Sequence, residues 1–235
     1  TSENLTLKAI SNAKNGNLTI SQTGNLQVDE LDTKSNLNIK VGKSLSVDEN
    51  SKIIAKDLVL TAQKINHTTD ALNTSVNGGG LSINVKDGEV KLVNSGVISS
   101  SGLSVIAPGN IDVKNSNDAA INLLQSAGGV KLKLVGHGTD ANGDDLNIIA
   151  NGAEGFNFEG KSFGTPGDVI ETHVSKLVID TKSGGIFIKN LGGQLSLIKA
   201  TSTGKFANID ISNLFNIEVG EILASGQDVK LKSVS

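Results

Sequence analysis

One short unit recurs about twenty times along the chain: a small or polar residue, an apolar residue, any residue, and a second apolar residue. Near the start it reads Asn4-Leu5-Thr6-Leu7, Asn17-Leu18-Thr19-Ile20, Asn25-Leu26-Gln27-Val28 and Asn36-Leu37-Asn38-Ile39. In the middle it reads Gly102-Leu103-Ser104-Val105, Asn110-Ile111-Asp112-Val113 and Gly129-Val130-Lys131-Leu132. Asn208-Ile209-Asp210-Ile211 and Asp228-Val229-Lys230-Leu231 are among the last copies. Alternation with period two predicts short strands with one buried face. The separators are Gly, Asn, Asp and Ser, which tolerate positive φ or hydrogen-bond their own backbone in turns.

The spacing narrows the fold further. Neighbouring units are unevenly spaced, and alternate units are more regular. Leu18 to Leu37, Leu26 to Leu45 and Ile111 to Val130 are each 19, Leu177 to Leu195 is 18, Val90 to Ile111 is 21, and Leu195 to Ile217 is 22. A period near 20 with two strand cores predicts one coil of a right-handed parallel β-helix, an all-β solenoid. About twelve coils at the roughly 4.8 Å strand spacing would give a rod of about 55 Å. A leucine-rich repeat would keep an L-x-x-L-x-L-x-x-N register, and a left-handed hexapeptide helix a stricter six-residue rule. Neither holds. A β-sandwich shares the strand density and is the alternative fold. Persistence of one motif favours the solenoid, because each coil meets the same neighbours above and below.

Composition agrees. A narrow column of Leu, Ile and Val has no width for Trp or Tyr, and the chain has neither. Asn before the strand, at Asn4, Asn17, Asn25 and Asn36, predicts either side-chain ladders along the stack or tight turns. No Cys excludes disulfides, thiolate metal sites and Cys nucleophiles. All 21 basic residues are Lys, so there is no guanidinium clamp, and a net charge of −3 offers no surplus for nucleic acid. No apolar run approaches the roughly 18–20 residues of a transmembrane helix. The chain begins at Thr1 and reads as one β-helix segment, 1–235, of a larger protein.

Function on a solenoid is expected where the repeat breaks. Three stretches break it, near 61–80, 135–145 and 159–176. They hold the candidate contact residues His67, Thr68, Asp70, His137, Asp140, Phe163, Pro166 and His173. Long turns are also tolerated at little entropic cost, which is the plain alternative for each. Asp140, Asn142 and Asp144 have alternate-position spacing for a hard cation such as Ca²⁺. The loop's usual Gly is displaced and no Glu follows at the twelfth position, so this is a weak metal candidate. The three His lack paired spacing and read as loop residues. No cofactor is expected. Sugar-cleaving sites need clustered carboxylates with basic and aromatic partners. Arg, Trp and Tyr are absent, as is an H-E-x-x-H motif, so the expectation is not an enzyme. Asn-x-Ser/Thr sequons fall at Asn4, Asn17, Asn66 and Asn73.

Twenty-residue coils, N-L-x-Φ units, Gly/Asn/Ser turns and absent Cys together resemble the repeat region of the filamentous-haemagglutinin-like exoproteins of bacterial two-partner secretion. That group includes adhesins, haemophore-type proteins and contact-dependent toxin carriers. The resemblance spans about residues 3–232. The family's secretion domain carries N-P-N-L motifs; neither Pro108 nor Pro166 lies in one, so the segment would be interior or distal. The resemblance implies a secreted or cell-surface adhesive segment, an outer-membrane transporter for the parent protein, and a surface receptor, protein or glycan, on host or bacterial cells. The alternative it implies is a stalk or receptor-recognition part of a toxin carrier. A β-helix polysaccharide-degrading enzyme is a third reading.

Overall fold

The alternating units fold as expected. The computed structural model describes residues 3–8, 10–12, 16–48, 50–67, 71–205, 207–225 and 228–234. Every regular element among them is a strand, and the strands form two sheets of fifteen and eleven. All strand–strand pairings are parallel, apart from one isolated antiparallel bridge, Thr165 to Asp168. Each coil lays one strand on the smaller sheet and the rest on the larger one. The larger sheet wraps two sides: Leu37–Val47 pairs through Leu37 with Leu18 and, after a corner at Gly42, through Leu45 with Leu26. At that corner a Cβ on Gly42 would sit 2.3 Å from the Thr23 carbonyl, so only glycine fits.

Eleven levels in the smaller sheet give ten steps, or roughly 48 Å at about 4.8 Å per step. The stack is thus about two coils shorter than the spacing count suggests. Register partners confirm the intervals Leu18–Leu37, Leu26–Leu45, Val90–Ile111, Ile111–Val130 and Leu195–Ile217. One interval differs. Leu177 pairs with Leu197, just beyond Leu195, and the register slips between Leu177 and Val178.

The core is a set of columns in which like sits on like. Leu37, Leu58, Leu81 and Leu103 are stacked partners and all fully or almost fully buried. Val90, Ile111, Val130, Phe156 and Leu177 form another column. Burial of each such side chain contributes about 1.5–3 kcal/mol.

Two columns turn polar inside the rod. Thr74, Asn94 and Asn115 stack at the inward end of their strands, where Ile53 and Leu134 occupy the same column. Asn94 Nδ2 donates to Asn115 Oδ1 at 2.8 Å and to the Gly96 carbonyl at 2.9 Å. Asn115 Nδ2 donates to the carbonyls of Asn117 and Asp118. Thr172, Asn190 and Asn213 repeat the device on the larger sheet, with Asn190 Nδ2 donating to Asn213 Oδ1 at 2.8 Å. Ladder and turn are therefore one feature: the amide that reaches the next coil also satisfies carbonyls around the corner. Of the Asn residues singled out in sequence, Asn4 and Asn25 make a rung at 2.8 Å. The buried ladders lie at strand ends instead.

Outside, Glu159 bridges coils by accepting from Lys133 at 2.7 Å and Lys182 at 2.8 Å. These two ammonium groups hold its carboxyl down to about 2. Its contribution is thus complete above the unfolded value of about 4.3 and is lost as pH falls towards 2. Its side chain is one-third exposed, so solvent screening limits the effect. Glu159→Gln should cost less than about 1 kcal/mol in urea unfolding, less still in high salt. Asn190→Ala strands the Thr172 hydroxyl, the Val174 amide and carbonyl, and Asn213. At about 1–3 kcal/mol per orphaned buried group, it should cost about 3 kcal/mol or more in the same measurement.

Candidate functional site

The three expected interruptions behave differently. The first is largely regular. Leu58–His67 continues the larger sheet, with Ile65 on Leu45 and Asn66 on Ser46, and Leu72–Val76 resumes the smaller one. His67 lies opposite Val47 at the strand end, while Thr68 and Asp70 fall outside the described residues. The sequons Asn66 and Asn73 are half-buried within strands, and Asn4 and Asn17 are exposed.

The second and third interruptions are true excursions, but shorter than expected. His137–Asp140 still belongs to the sheet, so the first excursion is 141–147. Ser162–Phe163 and Ile170–Val174 are also strands, so the second is 164–169. Both arise from one irregular level. The step from Val130 to Phe156 is longer than any other in the smaller sheet, among them Ile111 to Val130 and Leu195 to Ile217. The larger sheet then splits, because Ala119–Ser126 pairs with both His137–Asp140 and Ile148–Ala150. The two excursions lie on successive coils, and the Gly164 amide at the start of the second donates to the carbonyl of Gly138, in the strand that leads into the first, at 2.9 Å.

Beneath them the core changes character. Phe163, an expected contact residue, is fully buried, which corrects that expectation. Its ring centroid lies 4.3 Å from Phe158 and 5.4 Å from Phe156. Glycine makes the room: a Cβ on Gly138 would come within 2.9 Å of the Phe163 ring, and one on Gly160 within 2.5 Å of the Phe158 ring. The split coil is wide enough for aromatics where an ordinary level takes Leu or Ile. Pro166 is exposed in the second excursion.

Asn147, completely buried, pins the first excursion. Its Nδ2 faces Asp140 Oδ1 at 2.6 Å, Asn142 Oδ1 at 2.8 Å and the Ile121 carbonyl at 2.8 Å. Its Oδ1 accepts the Glu171 amide at 2.9 Å. Asp140 Oδ1 also accepts the Asn142 amide at 2.9 Å, and Asp144 is exposed. The alternate-position oxygens of Asp140 and Asn142 thus organise the loop itself. Among the described residues, no group of three or more His, Cys, Asp or Glu could hold a metal ion.

The site is acidic. Asp168, on the second excursion, is hydrogen-bonded to Asp140; desolvation, and then the Asp140 charge and that bond, push its carboxyl up. Glu171 is 2% exposed, with Oε2 unpartnered and Oε1 3.9 Å from Lys189 Nζ. Desolvation raises its carboxyl too; Lys189 opposes this, and Asp140 and Asp144 add to it.

A further pair escapes the sequence reading. Ser162 lies within Gly160-Lys161-Ser162-Phe163-Gly164, a G-x-S-x-G spacing, and its Oγ is 2.7 Å from His137 Nδ1. In hydrolases that spacing marks a nucleophile on a strand-to-helix turn, with a carboxylate behind the His. Here Ser162 sits in a two-residue strand stacked on His137, and Asp118 accepts the His137 backbone amide rather than a ring nitrogen. The motif supplies a hydrogen bond between coils. The exposed His173 lies on another strand, opposite Ile149.

Comparison with protein families, curated proteins and solved structures finds no match.

Phe163→Ala should destabilise the rod by about 3–5 kcal/mol and loosen the second excursion first. Hydrogen exchange of 164–169 measures this against exchange in the regular coils.

Proposed function

We propose that the chain is a structural and adhesive segment of a large secreted bacterial surface protein. In this reading the rod carries the parent protein away from the cell, and the paired excursions 141–147 and 164–169 contact a surface receptor. The observation that carries it is that, among the described residues, the two excursions stand together as a knuckle on successive coils of an otherwise parallel-paired stack of about ten levels. Stiffness follows from the stack, since each coil is hydrogen-bonded to the coils above and below. Loops on a rigid scaffold are where recognition concentrates.

The ends support the same reading. Among the described residues, seven of the twelve exposed large apolar ones lie in the last coil: Leu214, Phe215, Val219, Leu223, Val229, Leu231 and Val234. Leu5, at the other end, is a further one. A solenoid in water needs polar caps, and these faces are of the kind on which another coil stacks. Export of the parent through an outer-membrane transporter, and display at the cell surface, complete the proposal. Absence of Cys suits it, since no disulfide would obstruct a threading chain.

The test is binding of the labelled chain to host and bacterial cells, beside a variant with both excursions trimmed to short turns and its β circular dichroism intact. Loss of at least about tenfold in affinity, about 1.4 kcal/mol, on trimming is the expected result. Equal binding by both would move the contact away from the knuckle. No binding by either would reduce the segment to a spacer, as a toxin-carrier stalk would be.

A further inference from the structure

The first excursion lies over a carboxyl group that has almost no partners. Glu171 alternates outward on Ile170–Val174, yet it is buried, because 141–147 folds across it: the Asn147 amide donates to the Glu171 carbonyl at 2.9 Å, and Asn147 Oδ1 accepts the Glu171 amide. Among the described residues its Oε2 has no hydrogen-bond donor, and the Lys189 ammonium stands 3.9 Å from Oε1. An ionised carboxylate in that position carries a large desolvation cost, which a proton removes. On the same coil, the exposed Asp168 adds a second contact between the excursions and the strands beneath them. Asp140, at the base of the first excursion, and Asp168, on the second, are within hydrogen-bonding reach of each other. Ionised carboxylates are acceptors only, so a bond between them requires one proton.

We propose that the knuckle is a proton-held clasp. It is closed while Glu171 and Asp168 are neutral, with Asp168 bonded to Asp140, and it opens when those protons leave.

The surroundings favour this. The groups facing the clasp are Asp144 on the first excursion, Asp140 on the strand before it, Asp168 on the second, and Lys189 from Ile186–Asn190. His173, exposed, follows shortly after Glu171 on the same strand. Among the described residues, two acids, Asp140 and Asp144, thus face Glu171 against the Lys189 ammonium, and Asp140 faces Asp168. Both carboxyls are raised in the closed state, so protons bind there more tightly than in an open one. Closure is complete below the ordinary carboxylate value of about 4 and is lost as pH rises through the raised ones. The clasp is a property of the rod. Only its consequence, a contact surface that changes shape with pH, rests on the receptor reading above.

The experiment is hydrogen exchange of the amides in 141–147 and 164–169 from about pH 3 to about pH 8, expressed as protection over the intrinsic rate. NMR titration of the Glu171 and Asp168 carboxyl carbons accompanies it. Protection should be lost in step with those titrations, while the regular coils keep theirs. Glu171→Gln with Asp168→Asn, which place neutral side chains of the same shape, should hold protection across the range. Protection unaffected by the titrations would overturn the clasp, as would loss of protection in the double variant parallel to the wild type. Restoration of protection at the upper pH by millimolar Ca²⁺ in the wild type would overturn it in favour of a bridging cation. Cell binding is not read in any arm, so failure here is distinct from failure of the receptor proposal.

Discussion

Parallel pairing at about 4.8 Å forces every side chain in this rod to lie on its counterpart one coil away. The rest of the structure depends on that constraint. An inward position must hold a residue that packs on a near copy of itself, and for most of the length that is Leu on Leu or Ile on Val. Each coil then serves as the template for the next, and hydrogen bonds along the stack supply the backbone partners.

The same constraint explains how polar groups enter the core. A single buried amide would be costly, whereas a stacked pair shares the cost. Asn94 uses one amide hydrogen for Asn115 on the neighbouring coil and the other for the Gly96 corner carbonyl, and Asn190 serves Asn213 on one side and the Val174 carbonyl on the other. Charged pairs need no burial to follow the rule. Glu159 stands one coil above Lys133 on the outside and draws in Lys182 from the next turn.

Where a coil is too long, stacking fails locally and the consequences appear together. The long step from Val130 to Phe156 splits the larger sheet, lets three phenylalanines fill the widened core against glycines, and pushes 141–147 and 164–169 outward. Carboxyl groups on the two excursions and the strand beneath them then meet with Lys189 as the nearby cation. One length irregularity thus creates both the shape and the acidity of the knuckle.

Much of this was legible along the chain. Period-two units at steps near 20 dictate parallel coils, and five of the six intervals first read from the units are the register itself. The sixth missed because a bulge between Leu177 and Val178 shifts pairing by local hydrogen bonding, which a spacing count does not contain. The excursions near 141 and 164 show as lost periodicity, whereas 61–67 loses the motif but keeps the strand, since Leu45 and Ser46 already supply the template. Nothing in the order of residues tells Phe163 to point inward; Gly138, one coil earlier, makes its space only once the coils are stacked. Likewise Asp140, Asp168 and Glu171 are ordinary acids until two coils bring them together. Sequence alone determined the repeat, and hence the stack, because periodicity is a local property. Tertiary structure decided which residues meet across coils, because that depends on the accumulated length of every turn between them.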